Sequence, residues 1–232
     1  MESVVGKAIR PVLFAICAGL SVSLAASTAL ACGGDFWPEV VVDHRVQGIA
    51  SAEKDLAEGR HLAAAGKVIR MIPHVRGYAK ATNDRIVNRS MRVLAVASAR
   101  EGGDLSRLAG ELPEESRVLF AGETDAARAA NLKWSVAALK ALRRSNKDDV
   151  TLKTELAEAM AALPETKAKA RKTLESLARK DLITTPEAYR ALSRLRREAG
   201  NEEGAAQAIQ RCQAMARDSA ICGIPEAPPG QS

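Results

Sequence analysis

The side chains that could assemble a reactive centre in this 232-residue chain are few and scattered. The histidines are His44, His61 and His74. No Cys-x-x-Cys or paired-histidine spacing surrounds them, so no metal site is expected. His44 beside Asp43 reads as a surface or capping pair. Gly59 and Gly66-Lys67 resemble the ends of a phosphate-binding loop, but six residues separate the glycines where four are needed. Val68 also stands where that loop needs a hydroxyl. No Gly-x-Ser-x-Gly elbow is present to activate a serine. Sugar hydrolysis needs two carboxylates facing each other across a cleft, and nothing in the spacing proposes such a pair. The sequence therefore designates no catalytic residue and no cofactor.

The cysteines carry more information. Lys7 and Arg10 precede an uncharged apolar run, and the stretch closes on Ser27-Thr28-Ala29-Leu30-Ala31. This is the layout of a secretory signal over residues 1–31. The same run is long enough to span a bilayer if it is not cleaved. Cys32 follows at once. Ala29-Leu30-Ala31-Cys32 resembles a bacterial lipoprotein box, in which that cysteine is lipidated. Ala29 stands where the box has a leucine-like residue, and plain cleavage after Ala31 fits equally well. Cys17 leaves with the leader. If Cys32 is lipidated, Cys212 and Cys222 remain as a pair that an exporting cell would oxidise. Along one helix they would lie about 15 Å apart, too far for a bridge. A disulfide thus requires the last helix to stop near Asp218-Ser219 and the chain to fold back.

Charge adds a weaker constraint. The chain has 34 basic and 28 acidic residues, a net charge of +6, and loss of Glu2, Lys7 and Arg10 lowers this by one. Aromatics are only 3% of the residues, so no stacking platform accompanies the bases and nucleic acid is not an expected partner. Lys167-Lys169-Arg171-Lys172 and Arg194-Arg196-Arg197 read as solvated helix faces, or as a surface for an acidic partner or an anionic envelope surface.

The elements that must position any site are helices. Four consecutive segments repeat one apolar stripe at spacings of three and four: Leu152, Leu156, Ala159, Met160 and Leu163; Ala170, Leu174, Leu177 and Ala178; Ala188, Leu192, Leu195 and Ala199; Ala205, Ile209, Cys212 and Ala216. This is helical periodicity. Pro164 stops the first segment. Thr185-Pro186-Glu187 supplies an N-cap, a proline at the first helical position and an acid at the positive end. Gly200-Asn201 suits a left-handed C-terminal cap. Such short loops make neighbouring helices antiparallel.

In this stretch the chain resembles the tetratricopeptide repeat, a helical hairpin of about 34 residues. Tyr189 falls at the family's first aromatic, Leu192 at its leucine, Ala205 at the second-helix alanine and Ile209 at its phenylalanine. Ser193 stands for the small glycine, and Arg196 replaces the tyrosine. One repeat earlier only Ala170 and Leu174 keep the pattern. Ala64 and Val68 follow Gly59 as Ala205 and Ile209 follow Gly200, which suggests a further hairpin over about 49–72. The alternative reading of the same residues is a generic bundle with an Ala/Leu core.

Upstream, helices are expected from about Asp84 to Arg100, with Ile86, Val93, Leu94 and Ala97 inward, and from about Asp125 to Arg144, with Leu132, Val136 and Leu139 inward. Residues 104–124 are punctuated by Gly110, Pro113 and Gly122 and give no clear pattern. The expected organisation is a leader (1–31), an N-terminal tether (32–47), a helical domain (48–222) and a disordered tail (223–232). The expected fold is all-α, with stacked antiparallel helical hairpins forming a tetratricopeptide-like α-solenoid. The resemblance implies a scaffold that binds a protein or peptide partner without catalysis. The first-helix residues Lys153, Glu155, Arg190, Arg194 and Arg197 would shape its binding face. An envelope hydrolase without a recognisable motif is the alternative.

Overall fold

The structure is a computed structural model that describes residues 43–78, 80–108 and 122–223. Its described residues form eight α-helices and no strand: α1 (His44–Ala57), α2 (His61–Met71), α3 (Arg85–Arg100), α4 (Asp125–Ser145), α5 (Val150–Ala161), α6 (Lys167–Ala178), α7 (Pro186–Arg197) and α8 (Glu202–Met215). The all-α expectation therefore stands. None of these helices is long and apolar enough to cross a membrane. The leader, Cys32 and the tail from residue 224 lie outside the described residues, as do residues 109–121.

Side-chain caps set the helix starts. Asp43 accepts from Arg45 N at 2.9 Å and begins α1 at His44, earlier than the tether boundary expected at residue 47. The capping partner is thus Arg45, not His44. Thr185 accepts from Ala188 N at 3.3 Å with Pro186 opening α7, and Asn201 accepts from Gly204 N at 2.8 Å. Between these two helices Gly200 adopts φ +75°, the left-handed turn expected there. Pro164 ends α5 by opening a 3-10 turn, Pro164–Thr166, before α6 begins.

Each helix packs on the next, and α1, α3, α5 and α7 also touch in that order. The stripes face inward as the periodicity demands. Leu152, Leu156, Ala159, Met160, Leu163, Ala170, Leu174, Leu177, Ala188, Leu192, Leu195, Ala205 and Cys212 are all buried. Ala199 is exposed, because α7 stops at Arg197 before its next turn. Small residues let the helices approach closely, and polar side chains stitch the contacts. Ser193 donates to Ala205 O at 2.9 Å, joining α7 to α8. Arg196 forks onto Glu175 of α6 at 2.8 and 2.6 Å and also donates to Gly204 O. The guanidinium at the position where the resemblance expects tyrosine thus clamps three helices. Trp134 of α4 donates its indole N–H to Arg76 O at 3.0 Å.

Helix α8 ends at Met215, and the chain turns back through a 3-10 turn, Ser219–Cys222, capped by Asp218. Cys212 and Cys222 are joined by a disulfide with Cα atoms 5.8 Å apart. Cys222→Ser is expected to lower unfolding free energy by roughly 2–3 kcal/mol in denaturant titration, because the closed loop is short. Leu174 is fully buried. Leu174→Asp should therefore cost several kcal/mol, since the carboxylate would have no partner there. An unchanged thermal midpoint for this variant would place Leu174 on the surface.

Candidate functional site

The polar groups of the core converge where α2, α3, α5 and α7 meet. Helix α3 ends on Arg100, whose side chain is 4% exposed. Its Nε lies 2.9 Å from Glu158 Oε1 on α5, and its Nη1 lies 2.7 Å from Glu187 Oε1 on α7. His61, the first residue of α2, faces two carboxylates. Its Nδ1 is 3.1 Å from Glu101 Oε1, and its Nε2 is 3.6 Å from Glu187 Oε1, longer than a hydrogen bond. Arg107 reaches the other oxygen of Glu101 at 3.1 Å. Two turns earlier on α3, Arg92 forks onto Glu155 of α5 at 2.8 and 2.7 Å.

The arrangement balances charge inside the fold. A lone buried ion is very costly, and only close, well-directed partners offset that cost. The carboxylates of Glu101, Glu158 and Glu187 face Arg100, Arg107 and His61. Charge balance thus calls for a protonated imidazole. Burial is the largest influence on His61 and works against its proton, but Glu101 and Glu187 outweigh it and hold the pKa above its ordinary 6.5. The His61 hydrogen bond in turn holds Glu101 below the usual carboxylate range. Burial pushes Glu187 up, yet His61 and Arg100 together bring it below that range. While protonated, His61 carries an N–H on each ring nitrogen and has no lone pair to offer a substrate, although its Nε2 makes no hydrogen bond among the described residues. The described residues contain no group of His, Cys, Asp and Glu able to hold a metal ion. At this cluster the guanidinium of Arg100 already occupies the place of a cation.

A cleft of about 250 Å³ opens beside the cluster. Arg100 and Glu187 form its floor, Glu58 follows α1 on one wall, and Thr185, Met215 and Arg217 contribute from the C-terminal half. Met215 is 42% exposed there. The chain's first hairpin and its C-terminal turn meet at this cleft. A Cβ placed on Gly59, at φ +78°, would lie 3.7 Å from Ile221 Cδ1.

The residues expected to shape a binding face fare differently. Glu155 is 4% exposed and bound by Arg92, so its carboxylate is not available to a partner. Arg194 donates to Ala161 O at 3.0 Å, and Arg197 lies 3.4 Å from Glu202. Lys153 and Arg190 are half-buried and make no ion pair among the described residues. The ionic cluster itself was missed. On α5, Glu155 and Glu158 stand beside the apolar stripe, where polar residues normally face solvent, so no local signal marks them as buried. Glu187 was read only as an acid at a helix start. Its partners lie far away in sequence, and no spacing rule links them.

The pH dependence follows from these directions. His61 has a raised folded pKa, so its stabilisation is complete below about pH 6.5 and is lost as pH rises through the folded value. Glu101 and Glu187 have lowered folded values, so their contribution is present above 4.5 and is lost as pH falls through the folded values. Stability should therefore peak in mildly acidic solution. In denaturant titrations the gap between wild type and His61→Gln should be largest near about pH 6 and shrink by about pH 9. A constant gap would mean that folding leaves the His61 pKa unshifted, and a gap that widens with pH would mean that the fold holds the imidazole neutral.

No family model, no curated protein and no solved structure matches this chain, so its fold and this cluster carry the functional reading.

Proposed function

We propose that the protein is a non-catalytic binding scaffold, built as a stack of helical hairpins and exported to the bacterial envelope. The observation that carries this reading is the contact order of the helices. Each helix pairs with the next, and α1, α3, α5 and α7 touch in sequence. Sequential contacts of this kind support a helical-repeat reading, as does the tetratricopeptide resemblance of residues 149–217. The pairing of Glu101, Glu158 and Glu187 with cations, rather than with a nucleophile, fits a role without catalysis. Export is supported by the leader's layout and by the Cys212–Cys222 disulfide, which suits an oxidising compartment. Plain secretion to the periplasm and a lipid anchor at Cys32 are both compatible with that layout.

The partner would be a protein or peptide. The cleft is small, so it suits an anchoring side chain or a chain end rather than a long extended segment. Exposed Met215 offers an adaptable apolar contact, with Arg217, Glu58 and Thr185 around it.

A photoreactive amino acid placed at Met215 or Arg190 of the full chain tests this in cells. One discrete adduct is expected from these positions and none from Gln210, which faces outward on α8. If neither position gives an adduct and the purified protein hydrolyses ester or peptide substrates, with the activity lost in His61→Ala, the hydrolase alternative replaces the scaffold.

A further inference from the structure

Charge is sorted by the fold in a way that the net value of +6 does not reveal. Many of the acids are paired inside and between helices, while Glu123, Asp148, Glu165 and Glu203 stay exposed. Asp55, Glu155, Glu158 and Glu187 are buried. Glu53 is bound by Arg89, Glu175 by Arg196 and Glu101 by His61 and Arg107. Helices α4 and α6 have the opposite balance. Each contains a single acid: Asp125, held by Arg128, and Glu175, held by Arg196. Their outer faces are basic.

The bases fall in stripes. On α4, Lys133, Lys140 and Arg144 recur at helical spacing, with small Ala137 among them. On α6, Lys169 and Lys172 share a face with Arg179 at its C-cap, with Ser176 between. All six bases are exposed. Their side chains make no hydrogen bond or ion pair among the described residues. Both helices pack against α5, which α3 and α7 also cover, and the Arg100–Glu187 pair joins α3 to α7. The buried Ala170, Leu174 and Leu177 of α6 and Leu132, Val136 and Leu139 of α4 face the core, so the basic stripes turn away from it.

We infer that the outer faces of α4 and α6 dock this protein onto an anionic phospholipid surface. Charge complementarity is the warrant. Unpaired bases near an anionic bilayer each favour binding by about five-fold, and their effects accumulate along a stripe. Lys and Arg on long stems beside small residues can spread onto headgroups. The stripes carry no aromatic side chain, so they lack the stacking platform that single-stranded nucleic acid needs. The choice of lipid over an acidic protein rests on the exported reading above, which brings the chain to a membrane. The surface is distinct from the cleft, so partner binding and membrane docking can fail separately.

Sedimentation of the full chain with lipid vesicles tests the inference. Vesicles of phosphatidylcholine alone are compared with vesicles in which about a third of the lipid is phosphatidylglycerol. The apolar leader contributes to both, so the ratio of the two partition coefficients reads the basic face. The parent chain should prefer the anionic vesicles by at least about ten-fold, and high salt should abolish the preference. The variant K133Q/K140Q/R144Q/K169Q/K172Q/R179Q should lose the preference while keeping its helical circular dichroism and thermal midpoint. If that variant does not fold, the α4 triple variant and the α6 triple variant are compared separately, each expected to lose part of the preference. Inorganic phosphate in the millimolar range should not compete, since no pocket for a free anion is formed by the stripes. Equal partition of the parent into both vesicles overturns the inference. So does a preference that the variants retain, or tighter binding to polyglutamate or an oligonucleotide than to anionic vesicles, or competition by free phosphate.

Discussion

The guanidinium of Arg100 is the group on which the interior depends. It is planar, always charged and rigidly forked, so it can answer two carboxylates at once. Glu158 on α5 and Glu187 on α7 both converge on it, at 2.9 and 2.7 Å. Without it, both acids would be buried with too little positive charge, and their repulsion would push the helices apart. Lysine could not substitute for this geometry, because its ammonium is a single point charge. His61 extends the same logic by one layer, trading its own desolvation for a place between Glu101 and Glu187. The core of this protein is therefore apolar on its stripes and ionic where α2, α3, α5 and α7 meet.

That division explains why so little aromatic side chain is needed. Alanine stripes bring backbones close but supply little area each, so hydrophobic burial alone gives limited direction to the packing. Arginine–carboxylate forks add direction. Glu53–Arg89 fixes α1 against α3, Arg92–Glu155 fixes α3 against α5, and Arg196–Glu175 fixes α7 against α6. Each fork is bidentate and so constrains orientation as well as distance. The exposed bases of α4 and α6 stand apart from these forks, since Lys133, Lys140, Arg144, Lys169, Lys172 and Arg179 make no ion pair among the described residues.

The helices were legible in the sequence because their signals are local. The stripes from Leu152 to Cys212 repeat within one turn of their neighbours, and Thr185, Pro186, Gly200 and Asn201 act on adjacent residues. Both cysteines of the disulfide could be named because a geometric condition, a helix stop between them, was checkable on the chain itself. The cluster was not legible, since Arg100 and Glu187 are brought together only by the packing of α3 and α7. Glu155 illustrates the error that follows. On a helical wheel it is a polar residue beside an apolar stripe and reads as solvent-facing. In the fold a second helix covers that flank, and Arg92 takes the carboxylate. A wheel shows direction around one axis and is blind to how many neighbours surround it.

The contacts at the cleft also bear on how this fold holds together. In a stack of hairpins each unit touches only its neighbours, and stability is close to a sum of local terms. Such an array frays from its ends. Here Glu187 of α7 pairs with Arg100 of α3 and faces His61 of α2, so α7 is tied back to the first helices. Opening the C-terminal hairpin would expose Arg100 and strip His61 of one carboxylate. The cost of separating the ends is thereby charged to the middle of the chain. The disulfide at Cys212–Cys222 fixes the turn that carries Ile221, a residue lining the same cleft as Arg100 and Glu187. The packed helices thus carry a long-range constraint and are expected to unfold together.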